Sequence, residues 1–237
     1  MSEPVYVVIP VRDRHSMIDT LARQLAAQQP AAVFVLDNES YPPQPEWGPP
    51  VHTIPMPNTS LHGLWNAGLD MAEGHARAGG HKAWNVAVLN SDVEVAPNFL
   101  AALSLGLRIH DDVWIAYPNI HGLADTECCV LDDPTSYTGQ TMAGWAWMIR
   151  GECGLRVDEQ FVWWYGDSDL EAQVRAAGKH AICVGPAHAT HLDANGHVLR
   201  DSWRLNAARV DERRYAEKWG LDPSTLFLAR NPGWGAA

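Results

Sequence analysis

The chain has 237 residues, 46% hydrophobic and 19% charged, enough apolar material for one sizeable α/β core and too much for a disordered chain. Its 17 lysines and arginines against 28 acids give a formal net charge of −11, which argues against a nucleic-acid binder, since that needs a basic face to displace counterions. No apolar run approaches the ~20 residues of a membrane span. The opening MSEPVYVVIP lacks a signal peptide's basic start, and the four cysteines form no CxxC pair, so a soluble protein of the reducing cytoplasm is expected.

In chain order, Val5–Ile9 reads as a strand buried on both faces and ended by Pro10. Ser16–Gln28 carries a helical stripe of Met17, Ile18, Leu21, Ala22 and Leu25. Val33–Leu36 is a second strand, broken by Asp37-Asn38-Glu39-Ser40, and the proline-rich Tyr41–Pro50 is a loop. Leu61–Ala78 reads as a helix, Trp84–Leu89 as a third strand, and a helix opens near Pro97. This alternation predicts a mostly parallel sheet with helices on its faces.

The second half is less regular. Val113–Tyr117 and Gly144–Ile149 read as strands, with Pro118–Gln140 between them as a long loop. Asp167–Ala177 reads as a helix closed by Gly178, Ala181–Val184 as a strand, and Asp201–Trp219 as a terminal helix stopped by Gly220. The mixed charges of that last helix read as a solvated face. One domain is expected, residues 1–198, with residues 199–237 as a helical extension packed on it.

Ligands of open α/β sheets collect beyond the carboxyl ends of the strands. Three such ends carry polar residues here: Arg12-Asp13-Arg14, Asp37–Ser40 and Asn90-Ser91-Asp92. Each alone reads as a turn or cap; in register along one edge they point to a nucleotide-type ligand.

These blocks resemble those of family 2 glycosyltransferases. The similarity runs through Val7-Val8-Ile9-Pro10, Val35–Ser40, Asn66-Ala67-Gly68, Leu89–Val95, Gly144–Arg150, Val157-Asp158-Glu159, Tyr165–Leu170 and Pro186–His191, in the family's order. It implies a GT-A fold, a nucleotide-sugar donor (UDP- or dTDP-sugar favoured), a carbohydrate or other hydroxyl acceptor, and inverting transfer assisted by Mn²⁺ or Mg²⁺.

Residue by residue, the resemblance implies a donor site lined by Pro10, Arg12, Asp37, Asn66, Asn90 and Ser91, with Asp37 hydrogen-bonding the base or ribose. Trp65 stands where many relatives place a basic residue, so Arg12 or Arg14 is expected to face the diphosphate. Asp92 matches the last acid of the metal motif and His191 a histidine ligand; hard divalent ions favour carboxylate oxygen, and imidazole suits Mn²⁺. Asp167 matches the general base that takes the acceptor proton, while Asp169 is expected to cap the helix. Trp145, Trp164 and Tyr165 offer aromatic faces to an acceptor. Asn90 and Gly166 replace acids found in relatives, which keeps open the alternative of a non-catalytic sugar- or partner-binding protein with the same fold.

Overall fold

The computed structural model describes residues 3–130, 142–192, 202–226 and 228. In order the elements are β1 (Val5–Val11), α1 (His15–Ala26), β2 (Ala32–Asp37), β3 (Val51–Pro55), α2 (Leu61–Ala78), β4 (Asn85–Leu89), β5 (Val93–Val95) and α3 (Phe99–Leu107). They continue with β6 (Val113–Pro118), β7 (Cys128–Val130), β8 (Ala146–Arg150), α4 (Gly166–Ala176), β9 (His180–Val184), β10 (Ala189–His191) and α5 (Ser202–Trp219).

One eight-stranded sheet has the order β3-β2-β1-β4-β8-β6-β9-β7. The β3-β2-β1-β4 half is parallel, β6 pairs parallel with β9, and β8 and β7 run against their neighbours. The expected mostly parallel α/β sheet is therefore present. β1 shows how the sequence builds two cores. Val7 and Ile9 point to the face covered by α1 and α3, while Tyr6 and Val8 point to the face covered by α2 and α4.

Pro10 does not end β1. The strand runs on to Val11, paired with β2 alone, because its pairing with β4 stops at Val8. Proline is tolerated where one side of the ladder is already open. The three-residue β5, β7 and β10 are too short to show a period and, like the edge strand β3 with its polar His52 and Thr53, were not read from the sequence. β7 lies inside the expected loop Pro118–Gln140, whose residues 131–140 fall outside the described ones, as does the 198/199 boundary.

α5 packs through Tyr215 and Ala216 on Phe161, Tyr165 and Ala172, forming a third apolar cluster with Leu226. No helix among the described residues is long and apolar enough to cross a membrane.

Candidate active site

The loops after β1 and β2 share one edge of the sheet, and both contain non-glycine residues in the left-handed region. These are Asp13 and Arg14 (φ 60° and 56°) and Glu39 (φ 60°). Such backbone persists only where surrounding contacts hold it, and it clusters at ligand sites. At the end of β2, Asp37 is buried; its Oδ1 accepts from the Ser40 N–H at 2.9 Å and its Oδ2 from the Gln44 N–H at 3.0 Å.

Burial raises the Asp37 pKa, but hydrogen bonds from Ser40 and Gln44 outweigh it and hold the carboxyl below its usual range. Its stabilisation is thus present above the unfolded carboxylate pKa of about 4 and lost as pH falls through the lower folded value. Asp37→Ala should cost about 1.5–3 kcal/mol at neutral pH and flatten the acid limb of stability, as read by urea unfolding from pH 3 to 7.

The two-stranded ribbon β5–β10 builds the second part of the site. Its antiparallel register sets His191 opposite Val93, next to Asp92. His191 Nε2 lies 3.3 Å from Asp92 Oδ1, and Arg14 Nη1 lies 3.2 Å from Asp92 Oδ2. Burial pushes the Asp92 pKa up, but the His191 hydrogen bond and the His191 and Arg14 charges overcome it and hold the carboxyl low. The Trp145 ring stacks on His191, with centroids 5.2 Å apart and planes 12° from parallel. The Trp145 carbonyl accepts from the Asn90 N–H at 2.8 Å, tying β8 to the Asn90-Ser91-Asp92 turn.

This donor pair fits a divalent cation. A carboxylate oxygen and an imidazole nitrogen are both donors that such ions accept. Among the described residues no group of three or more His, Cys, Asp or Glu side chains is arranged for a metal.

Asp167 lies in the first turn of α4, behind Gly144. A Cβ at Gly144 would overlap Asp167 Oδ2, so only glycine lets the carboxyl lie against this backbone. Asp167 Oδ1 accepts from the Ser168 N–H at 2.9 Å. Desolvation outweighs that hydrogen bond and, with the Glu171 charge, pushes the Asp167 pKa up to about 6. A carboxyl tuned to that range suits a general base near neutral pH. Gly144→Ala should displace the carboxyl, slowing any chemistry that uses it by ~10–100-fold while nucleotide affinity stays within two-fold.

Gly166 also has a packing reason. A Cβ there would overlap the His62 ring, which is buried and makes a 2.6 Å hydrogen bond from Nδ1 to the Phe161 carbonyl. The loop at Gly166 thus lies directly on the His62 ring. His62 was not found from the sequence, because its partner is 99 residues away.

The structure brings Asp92, His191, Trp145 and Arg14 together, with Asp167 against Gly144, the residue before Trp145. Pro10 lies in β1 beside this edge, and Ser91 is buried and Asn90 half-buried in the turn below Trp145. Arg14, and not the exposed Arg12, is the arginine turned onto Asp92. Trp65 is buried edge-on against Trp147.

Several expectations need correction. Asn66 spends its amide on the scaffold: Nδ2 donates to the Val157 carbonyl and Glu159 Oε1, and Oδ1 accepts from the Val157 N–H, each at 2.9 Å. It anchors the 157–159 segment, with the half-buried amide taking the partners that packing supplies. Tyr165 is buried with its OH donating to Glu212 Oε2 at 2.6 Å and its ring on Tyr215, so it has no face for an acceptor. Trp164 beside it stays half-buried.

Asp169 is not a cap. It is fully buried and accepts from Lys218 Nζ, Trp219 Nε1 and Gln173 Nε2, binding α4 to α5. The solvated face read for α5 holds for Arg209, Arg213 and Glu217, which are exposed, but not for Asp211 and Glu212, which are buried against the 162–165 loop. Two acids within a stripe of Ala208, Tyr215, Ala216 and Trp219 at helical spacing were the signal for it.

No family model matches the chain, and no curated protein matches it. Its architecture is the GT-A-like fold of glycosyltransferases. The mannosyltransferase PcManGT from Pyrobaculum calidifontis, in complex with GDP-Man and Mn²⁺, is similar with a TM-score of 0.60 and 14% identity, over 98% of this chain and 70% of that one. TarS from S. aureus is similar in its 1–349 form, with a TM-score of 0.56 and 14% identity over 90% of this chain and 65% of that one. In a longer TarS structure the TM-score is 0.58 at 14% identity, over 90% of this chain and 40% of that one. The chain thus spans less than two thirds of either TarS chain. At 14% identity these likenesses establish the fold alone.

Proposed function

We propose that this chain is a glycosyltransferase that moves a sugar from a nucleoside-diphosphate donor to an acceptor hydroxyl with inversion. The observation that carries this reading is the Gly144–Trp145 pair. Gly144 admits the carboxyl of Asp167, and Trp145 stacks on His191, which is paired with Asp92. One dipeptide therefore couples a base of raised pKa to a cation-type donor pair, within a glycosyltransferase fold.

In this mechanism Asp92 and His191 are the residues that would hold a divalent cation. When bound, Mn²⁺ or Mg²⁺ supplies Lewis-acid stabilisation to the departing diphosphate. Arg14, on the other oxygen of Asp92, adds positive charge on the same side. Asp37 orders the loop after β2, where the base of the donor lies. Asp167 takes the proton of the acceptor hydroxyl as its oxygen attacks the anomeric carbon from the face opposite the diphosphate. Trp145 and Trp164 present aromatic faces to the acceptor. The GDP-Man and Mn²⁺ in the PcManGT complex support a nucleotide-sugar donor and a divalent ion, and add GDP-mannose to the UDP- and dTDP-sugars as candidates.

The test is thermal denaturation with GDP-, UDP- and dTDP-sugars, each with Mn²⁺ or with EDTA, followed by donor hydrolysis. One nucleotide class should raise Tm by roughly 5–10 °C at a hundred-fold excess over Kd, and less with EDTA. No shift with any nucleotide sugar would sink the reading. Metal-dependent binding with no turnover of the bound donor, even with acceptor mixtures, would favour the non-catalytic binder.

A further inference from the structure

We infer that Asp211 of α5 is a positioning residue for Asp167, acting by gathering the backbone N–H groups of the loop that leads into α4. The inference rests on the glycosyltransferase reading for what Asp167 does, and on geometry for the rest. Asp211 is fully buried and accepts from three consecutive peptides: Val162 N–H at 3.0 Å, Trp163 N–H at 2.7 Å and Trp164 N–H at 2.9 Å. Successive N–H groups converging in this way make an anion-binding concavity, filled here by the protein's own carboxylate. A buried carboxylate requires such donors, and the loop requires the carboxylate, since its N–H groups have no ladder to join. Arg214 Nη1, 3.5 Å from Asp211 Oδ1, offsets part of the charge.

The loop needs this support because the Ser168 N–H on Asp167 Oδ1 does not fix the backbone that leads into α4. Its N-terminus has no side-chain cap, and Tyr165, two residues before Asp167, holds a left-handed φ of 66°. Outside glycine that conformation persists only where neighbours enforce it. From α5, Asp211 takes the three N–H groups, Glu212 accepts from the Tyr165 OH, and Tyr215 stacks on the Tyr165 ring at 4.9 Å. From α2, His62 holds the Phe161 carbonyl. Between these two supports the backbone direction at residue 166 is set, and with it the approach of Asp167 to Gly144. An error of ~1 Å in a catalytic group can cost ~10²-fold in rate.

The test compares Asp211→Asn and Asp211→Ala in the full chain with Leu103→Ala, which removes side chain from the core on the opposite face of the sheet. Asn keeps one acceptor oxygen, so that variant remains informative if Asp211→Ala does not fold. Amide exchange at Val162, Trp163 and Trp164 should be at least ten-fold faster in Asp211→Asn, with exchange in β1 unchanged. A carbon-13 titration of Asp167, whose titratable neighbours are Glu171 and Tyr215, should move down towards the ordinary carboxyl range in both Asp211 variants and stay put in Leu103→Ala.

With the donor identified by the nucleotide panel, kcat should fall ten- to hundred-fold in Asp211→Asn, with the donor KM within two-fold. Unchanged exchange and an unmoved Asp167 midpoint would overturn the inference, as would equal kcat losses in Leu103→Ala. If the wild type turns over no nucleotide sugar, the glycosyltransferase reading falls on its own, while exchange and titration still decide whether Asp211 places Asp167.

Discussion

Asp167→Asn is expected to bind donor and cation as the wild type does and to lose sugar transfer by ~10²–10⁴-fold, the usual worth of a general base. Asn keeps the size of Asp and can still accept the Ser168 N–H, so geometry survives while the basic oxygen is gone. Single-turnover transfer at saturating donor is the measurement, and a fully active variant would falsify the assignment. In the wild type, kcat/KM should rise with pH through a midpoint near 6, because only the ionised carboxyl takes a proton, and Asp167→Asn should abolish that limb. Stability runs the other way. A folded pKa raised above the unfolded value means stability that is complete below about pH 4 and declines as pH rises through about 6. Asp167→Asn should therefore be the more stable protein at pH 8, a trade common at active sites. Asp169→Asn weakens the pair between buried Asp169 and Lys218 and should lower Tm, while leaving the acid-limb midpoint near 6.

Asp92→Ala is expected to remove the metal-dependent part of nucleotide stabilisation altogether. The EDTA and Mn²⁺ melting curves with nucleotide should become superimposable, because His191 alone is too weak a site to hold the ion against buffer. Asp92→Asn distinguishes ligation from folding: it retains shape and can still meet Arg14 and His191, but offers the cation a neutral oxygen. It should also lose most of the metal response. His191→Ala should show a smaller loss, since carboxylate is the stronger donor for these hard ions. A Mn²⁺-dependent shift of wild-type size in Asp92→Ala would take Asp92 out of the cation site. Calorimetric titration of Mn²⁺ into the nucleotide-saturated protein gives the same answer without any turnover.

The strands and helices that carry the site were legible where they are long and periodic. β1, β2, β4, α1 and α2 announce themselves through continuous β-branched runs or a stripe at helical spacing, and polar turns mark the strand ends. Asp92, His191 and Asp167 were reached through a resemblance whose motifs follow one another in order. What could not be read was which polar groups face one another. The Asn66 amide meets a backbone 91 residues on, and Asp211 meets peptides 47 to 49 residues back. Tyr165 reads as an aromatic beside the base, and only its burial under Tyr215 shows that it is core.

The sequence by itself thus determined the layered α/β architecture, the sheet edge where the polar turns gather and the acids available there, because periodicity and turn chemistry act over a few residues. The tertiary structure decided which acids are free to do chemistry. Asp169, Asp211 and Glu212 are drawn into α5's clamp on the loop, while Asp167 is left against Gly144 with its pKa raised and Asp92 is turned to His191 and Arg14. The physical reason is that a buried carboxylate takes its role from the donors and the desolvation that packing imposes, and those come from parts of the chain far away in sequence.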